Sequence, residues 1–287
     1  MVTPAAKRAV VRYLLESYRF SERRACLIVG LCRGSYRYQA KPKNDEAIKK
    51  RLRELAELRR RFGSPRLHIL LRREGYLINH KRTERLYKEE GLSLRRKTSR
   101  KRSSHVRVVM DRPERANQHW SMDFVSDSLY SGRRFRVLTL VDDFSKECPL
   151  LLADHSITGN RVARTLDYLT QLKGVPEVIT VDNGPEFISK ALDLWAYQNN
   201  VRLRFIQPGK PVQNAYIESF NGKFRDECLN DNVFINLHSA REIIEQWRVD
   251  YNTERPHSSL NNMTPEEFSR TMTTEEKTEK PRLILVQ

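Results

Sequence analysis

Cysteine is scarce: only Cys26, Cys32, Cys148 and Cys228 occur among 287 residues, and none pair in a CxxC or disulfide-type spacing. Thiols in that pattern are read as reduced and structural. Cys26 and Cys32 also lack the nearby paired histidines that would complete a tetrahedral zinc set. No apolar run approaches the ~20 residues of a membrane span. No signal-peptide pattern opens the chain, because Met1–Arg12 is basic and interrupted, so the expected location is cytoplasmic. Internal repeats and low-complexity segments are absent. What remains is a chain long enough for two or three domains, with 39% apolar residues, enough for at least one core.

Acidic residues are thin in one half only. Residues 1–110 carry 31 Lys and Arg against 10 Asp and Glu, whereas residues 111–287 carry 22 against 26. The net +17 of the chain is therefore a strongly basic half joined to a slightly acidic one. One part is expected to grip a polyanion and the other to do different work.

The basic half reads as helical. Residues 1–41 form a segment like a helix-turn-helix: Ala25, Leu27, Ile28, Leu31 and Tyr36 recur at helical spacing, Ser21 can cap, and Gly30 can break. An ordinary helical hairpin fits the same outline. Residues 42–92 form a second basic helical region. It opens with a charged helix over 45–61 with Ile48, Leu52, Leu55 and Leu58 on one stripe. A helix over Arg66–Glu74 follows and stops at Gly75, and another runs from the cap Asn79 to Gly91. On the last of these Lys81, Arg82, Arg85 and Lys88 fall along one side, where they could follow a phosphate backbone or form a solvated face. Residues 93–117 are a basic linker, expected to be flexible until it meets DNA.

The pattern then changes. Trp120–Val125, Phe135–Val141 and Cys148–Ala153 read as an antiparallel meander. A helix (Thr158–Lys173), a strand (Val178–Val181), a helix (Phe187–Asn200) and a strand (Arg202–Ile206) follow, and a long helix begins after the loop Gln207–Pro211. Strands first and then alternating helix and strand predict an α/β fold, a mixed sheet flanked by helices. The core spans 118–270, and residues 271–287 form a polar tail.

Three acids stand out by position. Asp123 lies inside the first strand, Asp182 ends the fourth strand before the turn pair Asn183-Gly184, and Glu218 opens the long helix. If the first and fourth strands are neighbours, the helix can bring Glu218 against both aspartates. Clustered carboxylates resist ionisation together, and divalent cations relieve the repulsion. Oxygen-only ligands suit Mg²⁺ or Mn²⁺. Two such ions can activate an attacking oxygen and stabilise a leaving one in phosphodiester chemistry. Among 36 acidic residues many other triplets could be drawn, and Asp142 and Asp143 most simply serve the hairpin turn.

The flanking residues carry a resemblance. Val181-Asp182-Asn183-Gly184-Pro185-Glu186-Phe187 resembles the second-aspartate motif of retroviral integrases and related transposases. Thirty-five residues separate Asp182 from Glu218, and Asn214-Ala215-Tyr216-Ile217-Glu218-Ser219-Phe220-Asn221 is similar to their glutamate motif. Tyr251-Asn252, Arg255-Pro256-His257 and Thr264-Pro265 resemble the closing motif of the family-three insertion-sequence transposases. The segments through Arg66-Leu67-His68 and His80-Lys81-Arg82 resemble the helix-turn-helix region that precedes that family's core. The zinc-binding His/Cys domain of retroviral integrases has no counterpart here.

The resemblance implies a ribonuclease-H-like sheet of order 3-2-1-4-5 and a transposase catalytic subunit that cuts phosphodiesters at transposon ends and joins strands. It implies Asp123, Asp182 and Glu218 as catalytic and metal-binding residues, with two Mg²⁺ or Mn²⁺ ions. Asp123 would touch both ions, and Asp182 and Glu218 one each. Arg225, seven residues beyond Glu218, matches a basic position that faces DNA in the family. Lys223 joins it as a phosphate contact, with Lys210 and Asn214 as further DNA-binding candidates. Trp120, Trp247 and Tyr251 read as core, and His257 as structural. The implied partners are double-stranded DNA of the element ends and target, a second copy of the chain in the active assembly, and a small upstream DNA-binding protein joined by frameshift fusion. The implied place is the bacterial nucleoid. The alternatives are a non-catalytic DNA-binding regulator and an inactive transposase remnant.

Overall fold

The computed structural model describes residues 3–39, 45–94, 113–207 and 214–278, with side chains to residue 272. Much of the basic linker, the loop holding Lys210 and the end of the tail lie outside the described residues.

The chain divides into two compact units, Met1–Lys50 and Arg51–Gln287. The first unit packs α1 (Pro4–Tyr18), α2 (Glu22–Val29) and α3 (Arg33–Arg37) around Val11, Ala25 and Cys26. Ser21 caps α2 by accepting from the Arg24 amide at 3.4 Å, and Gly30 ends it at φ +62°, where a side chain is rarely tolerated. The expected cap and break are both there.

The second basic region comprises α4 (Glu46–Leu58), α5 (Ser64–Arg73) and α6 (His80–Glu89). Leu52, Leu55, Leu67, Leu71 and Leu86 are buried. Asn79 caps α6 through the Lys81 amide, 2.9 Å from its Oδ1. Three arginines at seven-residue intervals tie this region to the rest of the second unit: Arg59 pairs with Asp250, Arg66 with Glu227 and Arg73 with Glu267.

The sheet has five strands in the order β3-β2-β1-β4-β5: β1 (His119–Ser128), β2 (Arg134–Asp142), β3 (Leu150–Asp154), β4 (Val178–Val181) and β5 (Arg202–Phe205). β1, β2 and β3 pair antiparallel, and β4 lies parallel to β1 after the crossover helix α7 (Gly159–Lys173). The helix α8 (Lys190–Gln198) returns the chain to β5. One face buries Trp120, Met122, Leu138, Leu140 and Ile179 with α7 and α8. The other buries Val125, Phe135, Val137 and Val141 with α9 (Ala215–Glu227) and α10 (Leu237–Thr253), and α11 (Pro265–Thr278) follows. Burial on both faces explains why the central strands read as near-continuous apolar runs.

Two of the element boundaries that differ from expectation have a clear cause. α8 starts at Lys190, not Phe187, because Phe187 is fully buried in the preceding loop and stacks on Phe124 at 5.0 Å. β3 starts at Leu150, because the backbone N–H and C=O of Cys148 are taken by the side-chain amide of Asn252 at 2.9 and 2.8 Å.

Candidate active site

The register of the sheet brings the two aspartates together. Ser121 of β1 lies beside Thr180 of β4 in the parallel pair. Two residues further along each strand stand Asp123 and Asp182, on the same face because side chains alternate with a period of two. That face is the one covered by α9, whose Ile217, Phe220 and Phe224 are buried against the sheet. Along the edge of this buried stripe run Glu218, Asn221 and Arg225, spaced three and four apart. Asn221 Nδ2 donates to Asp123 Oδ2 at 2.8 Å, and Arg225 Nη2 donates to the Ser126 carbonyl at 3.1 Å. The stripe therefore follows β1, with Glu218 one turn before Asn221. Glu218 sits in the first turn of the helix, where the backbone N–H groups and the dipole favour a carboxylate.

Asp123 sits in a strongly perturbing environment. Burial pushes its carboxyl up to about 6, and the charges of Asp182 and Glu218 add to the rise. The Phe124 amide, at 2.7 Å from Oδ1, and Asn221 pull it partly back. Asp182 Oδ1 accepts from the Gly184 amide at 3.0 Å. A Cβ on Gly184 would stand 2.9 Å from that same oxygen, so any side chain there would push the carboxylate out of this position. The rest of that loop is anchored by the buried Phe187 and by an ion pair between Glu186 and Arg136.

Beneath the aspartates lies a buried polar network that the sequence did not reveal. His119 Nδ1 is 2.8 Å from Asp143 Oδ2, and its Nε2 is 2.7 Å from Thr180 Oγ1. Ser121 Oγ donates to Asp143 Oδ2 at 2.8 Å. His119 thus bridges β1 and β4 two residues before Asp182, while Ser121 stands two residues before Asp123. Asp142 serves the turn as expected, its Oδ1 accepting from the amides of Phe144 and Ser145 at 3.0 and 2.8 Å. Asp143 does not: it is buried in the network. The signal in the sequence was the alternation of His119, Ser121 and Asp123 with Trp120, Met122 and Phe124, which puts three polar residues on one face of the strand.

A family model described as an integrase core domain matches residues 113–211, a second of that description matches 199–265, and an HTH-like domain matches 43–102. The 31.7 kDa protein of insertion element IS407 from Burkholderia multivorans is 53% identical over 88% of this chain and 92% of its own length. The 39.2 kDa protein of insertion element IS476 from Xanthomonas euvesicatoria is 45% identical over 93% of this chain and 78% of its own length. The chain belongs to the family-three insertion-sequence transposases. In fold, the transposase is similar to a chain of the simian T-cell lymphotropic virus intasome, with a TM-score of 0.51 at 15% identity, covering 82% of this chain and 77% of that one. Its integrase core makes it a polynucleotidyl transferase acting on DNA.

The transposase places the other expected residues unevenly. Asn214 is buried at the N-cap of α9, and its Oδ1 has no hydrogen-bond partner among the described residues. Lys223 lies on the other flank of α9 from the Glu218 stripe, and burial with the nearby Arg255 pushes its ammonium down to about 8. Lys81, Arg85 and Lys88 of α6 are exposed and Arg82 half-buried, with Arg85 paired to Glu89 and Lys88 to Glu84. Lys210 lies outside the described residues. Trp120 and Tyr251 are buried core and Trp247 packs against it, as expected. No helix of the described residues is long and apolar enough to cross a membrane.

The chemistry of the donor set suits a hard cation. Asp182 and Glu218 lie within electrostatic reach of Asp123, all three are oxygen donors, and a bound cation would offset the burial and repulsion that raise the Asp123 carboxyl. Among the described residues no three His, Cys, Asp or Glu side chains stand close enough together to hold a metal ion without moving.

Proposed function

We propose that Asp123, Asp182 and Glu218 are the catalytic carboxylates of this transposase and that together they hold two divalent cations, Mg²⁺ or Mn²⁺. Asp123 would be shared between both ions, and Asp182 and Glu218 would each hold one. When bound, the ions lower the pKa of the attacking group and neutralise charge on the leaving oxygen. The protein's own part is positional. β1 and β4 fix the two aspartates, the Asn183-Gly184 turn aims Asp182, Asn221 aims Asp123, and the first turn of α9 brings the longer side chain of Glu218 to them. Hydrolysis at an element end breaks a P–O3′ bond and frees a 3′ hydroxyl. In strand transfer that hydroxyl forms a bond to a target phosphorus, and the target's own P–O3′ bond breaks. Each step exchanges one phosphorus–oxygen bond for another, so no protein nucleophile is required.

The observation that carries this reading is the strand register that sets Asp123 and Asp182 on one face of the sheet, with α9 tied to Asp123 by Asn221 at 2.8 Å three residues after Glu218. A single carboxylate on a strand would be paired or solvated; three held within electrostatic reach of one another call for a cation. The arrangement we assign is a helix-turn-helix-like segment at 1–41, a second basic helical region at 42–92, a linker at 93–117 and a catalytic core at 118–270. Asn214, Lys210, Lys223 and Arg225, with Lys81, Arg82, Arg85 and Lys88, would contact DNA. Action at two ends requires at least two copies, and an upstream DNA-binding product fused by frameshifting would complete end recognition.

The test is a cleavage and strand-transfer assay on duplexes carrying the element's ends, with Mg²⁺ or Mn²⁺. Asp182→Asn and Glu218→Gln should abolish both reactions and leave DNA binding intact. Retained activity in either variant would sink the assignment.

A further inference from the structure

The flank of α9 opposite the carboxylates carries a second stripe, Ser219, Lys223 and Glu227, four apart. Arg255, 2% exposed, grips Glu227 with two bonds, Nε to Oε2 at 2.7 Å and Nη2 to Oε1 at 2.6 Å. Arg66 of α5 reaches the same carboxylate at 3.1 Å. Both oxygens of Glu227 are thus committed to arginines. Lys223 lies among the same groups, and its ammonium has no carboxylate at ion-pairing distance among the described residues; its hydrogen bond goes to Ser219 Oγ at 3.3 Å. Three cations therefore surround one carboxylate. Burial of unbalanced like charge is costly, and a group arranged this way is built for an anion that arrives from outside.

We propose that Lys223 and Arg66, backed by Arg255, form a phosphodiester-binding site for the DNA backbone, separate from the carboxylate site. The inference rests on the reading of the chain as a transposase and not on the metal assignment. α9 is about 10 Å across, so a phosphate here lies within roughly three nucleotides of rise along one strand from the one at the carboxylates. Arg66 comes from the helical region before the linker and Lys223 from the core. The site would register both parts of the second unit on the same strand. A phosphate contact of this kind positions DNA and reads no base.

The test uses the full chain. Affinity for a labelled duplex carrying the element's end is measured by fluorescence anisotropy without divalent metal, across a series of salt concentrations. Lys223→Gln and Arg66→Gln should each weaken binding roughly tenfold and reduce the log–log salt slope by roughly one. Asp182→Asn should bind as wild type, which separates this proposal from the carboxylate assignment. Thermal unfolding gives a second readout that does not depend on Arg66→Gln folding. Removing the crowded charge in Lys223→Gln should raise the unfolding midpoint, and inorganic phosphate should stabilise wild type beyond chloride of equal ionic strength but not Lys223→Gln. Unchanged affinity and slope in Lys223→Gln would overturn the proposal. So would a lowered unfolding midpoint in that variant together with no specific effect of phosphate, since the lysine would then be part of a structural cluster only.

Discussion

Asn221 of α9 donates a 2.8 Å hydrogen bond to Asp123 Oδ2 on β1, so the side chain that aims the first aspartate comes from the helix that delivers Glu218. The aspartate and the glutamate are therefore positioned by one rigid element. Replacing Asn221 by Ala should leave the fold intact and lower cleavage by roughly 10- to 100-fold, the effect typical of losing a group that orients a metal ligand. Titration of activity with Mg²⁺ should show half-saturation at a higher concentration. An unchanged Mg²⁺ dependence would show that Asn221 only helps to seat the helix.

Gly184→Ala places a methyl group 2.9 Å from Asp182 Oδ1. The carboxylate must move and the bond from the residue 184 amide must lengthen. Strand transfer should fall at least roughly tenfold, as for a misplaced reacting group, with little change in the thermal unfolding midpoint. A variant with full activity would mean that this turn does not aim Asp182.

Two of the three ion pairs that join the second basic helical region to the core should differ in strength. Glu227 lies between Arg255 and Arg66 with little exposure, so Glu227→Gln strands buried positive charge. A loss of about 3–5 kcal/mol is expected. Arg73 and Glu267 are 31% and 46% exposed, and Arg73→Ala should cost no more than about 1 kcal/mol. Urea unfolding of the two variants checks the contrast, and equal losses would contradict it.

His257 supplies a pH dependence of stability. Burial, with Arg255 nearby, lowers its imidazole from the ordinary 6.5 to about 2, so the folded chain keeps it neutral. Above pH 6.5 both folded and unfolded forms are neutral and the full stability is present. As pH falls below 6.5 only the unfolded form takes up the proton, and stability is lost at up to about 1.4 kcal/mol per pH unit from this group. Unfolding free energies in urea at about pH 7.5 and 5.5, compared between wild type and His257→Asn, should show a shallower fall in the variant. Parallel slopes would place the acid sensitivity elsewhere.

Much of this protein was determined by the sequence alone, because the deciding information was local. Ser21 and Asn79 as caps, Gly30 and Gly75 as stops, and a shift from helical to strand periodicity near residue 118 each depend on neighbours within a turn. Strand order was legible through the resemblance carried by the motifs around Asp182 and Glu218. Only the tertiary structure decided how distant residues act on one another. Nothing near Asp143 in the chain says that it turns inward to His119 and Ser121, nor does the stretch around Asn252 say that it holds the backbone of Cys148. Whether a charged side chain is a solvated surface group or a buried member of a cluster depends on which elements close over it. For Lys223, Arg66 and Arg255 those elements lie up to 189 residues apart along the chain. Periodicity places a residue on a face, and packing alone decides what that face meets.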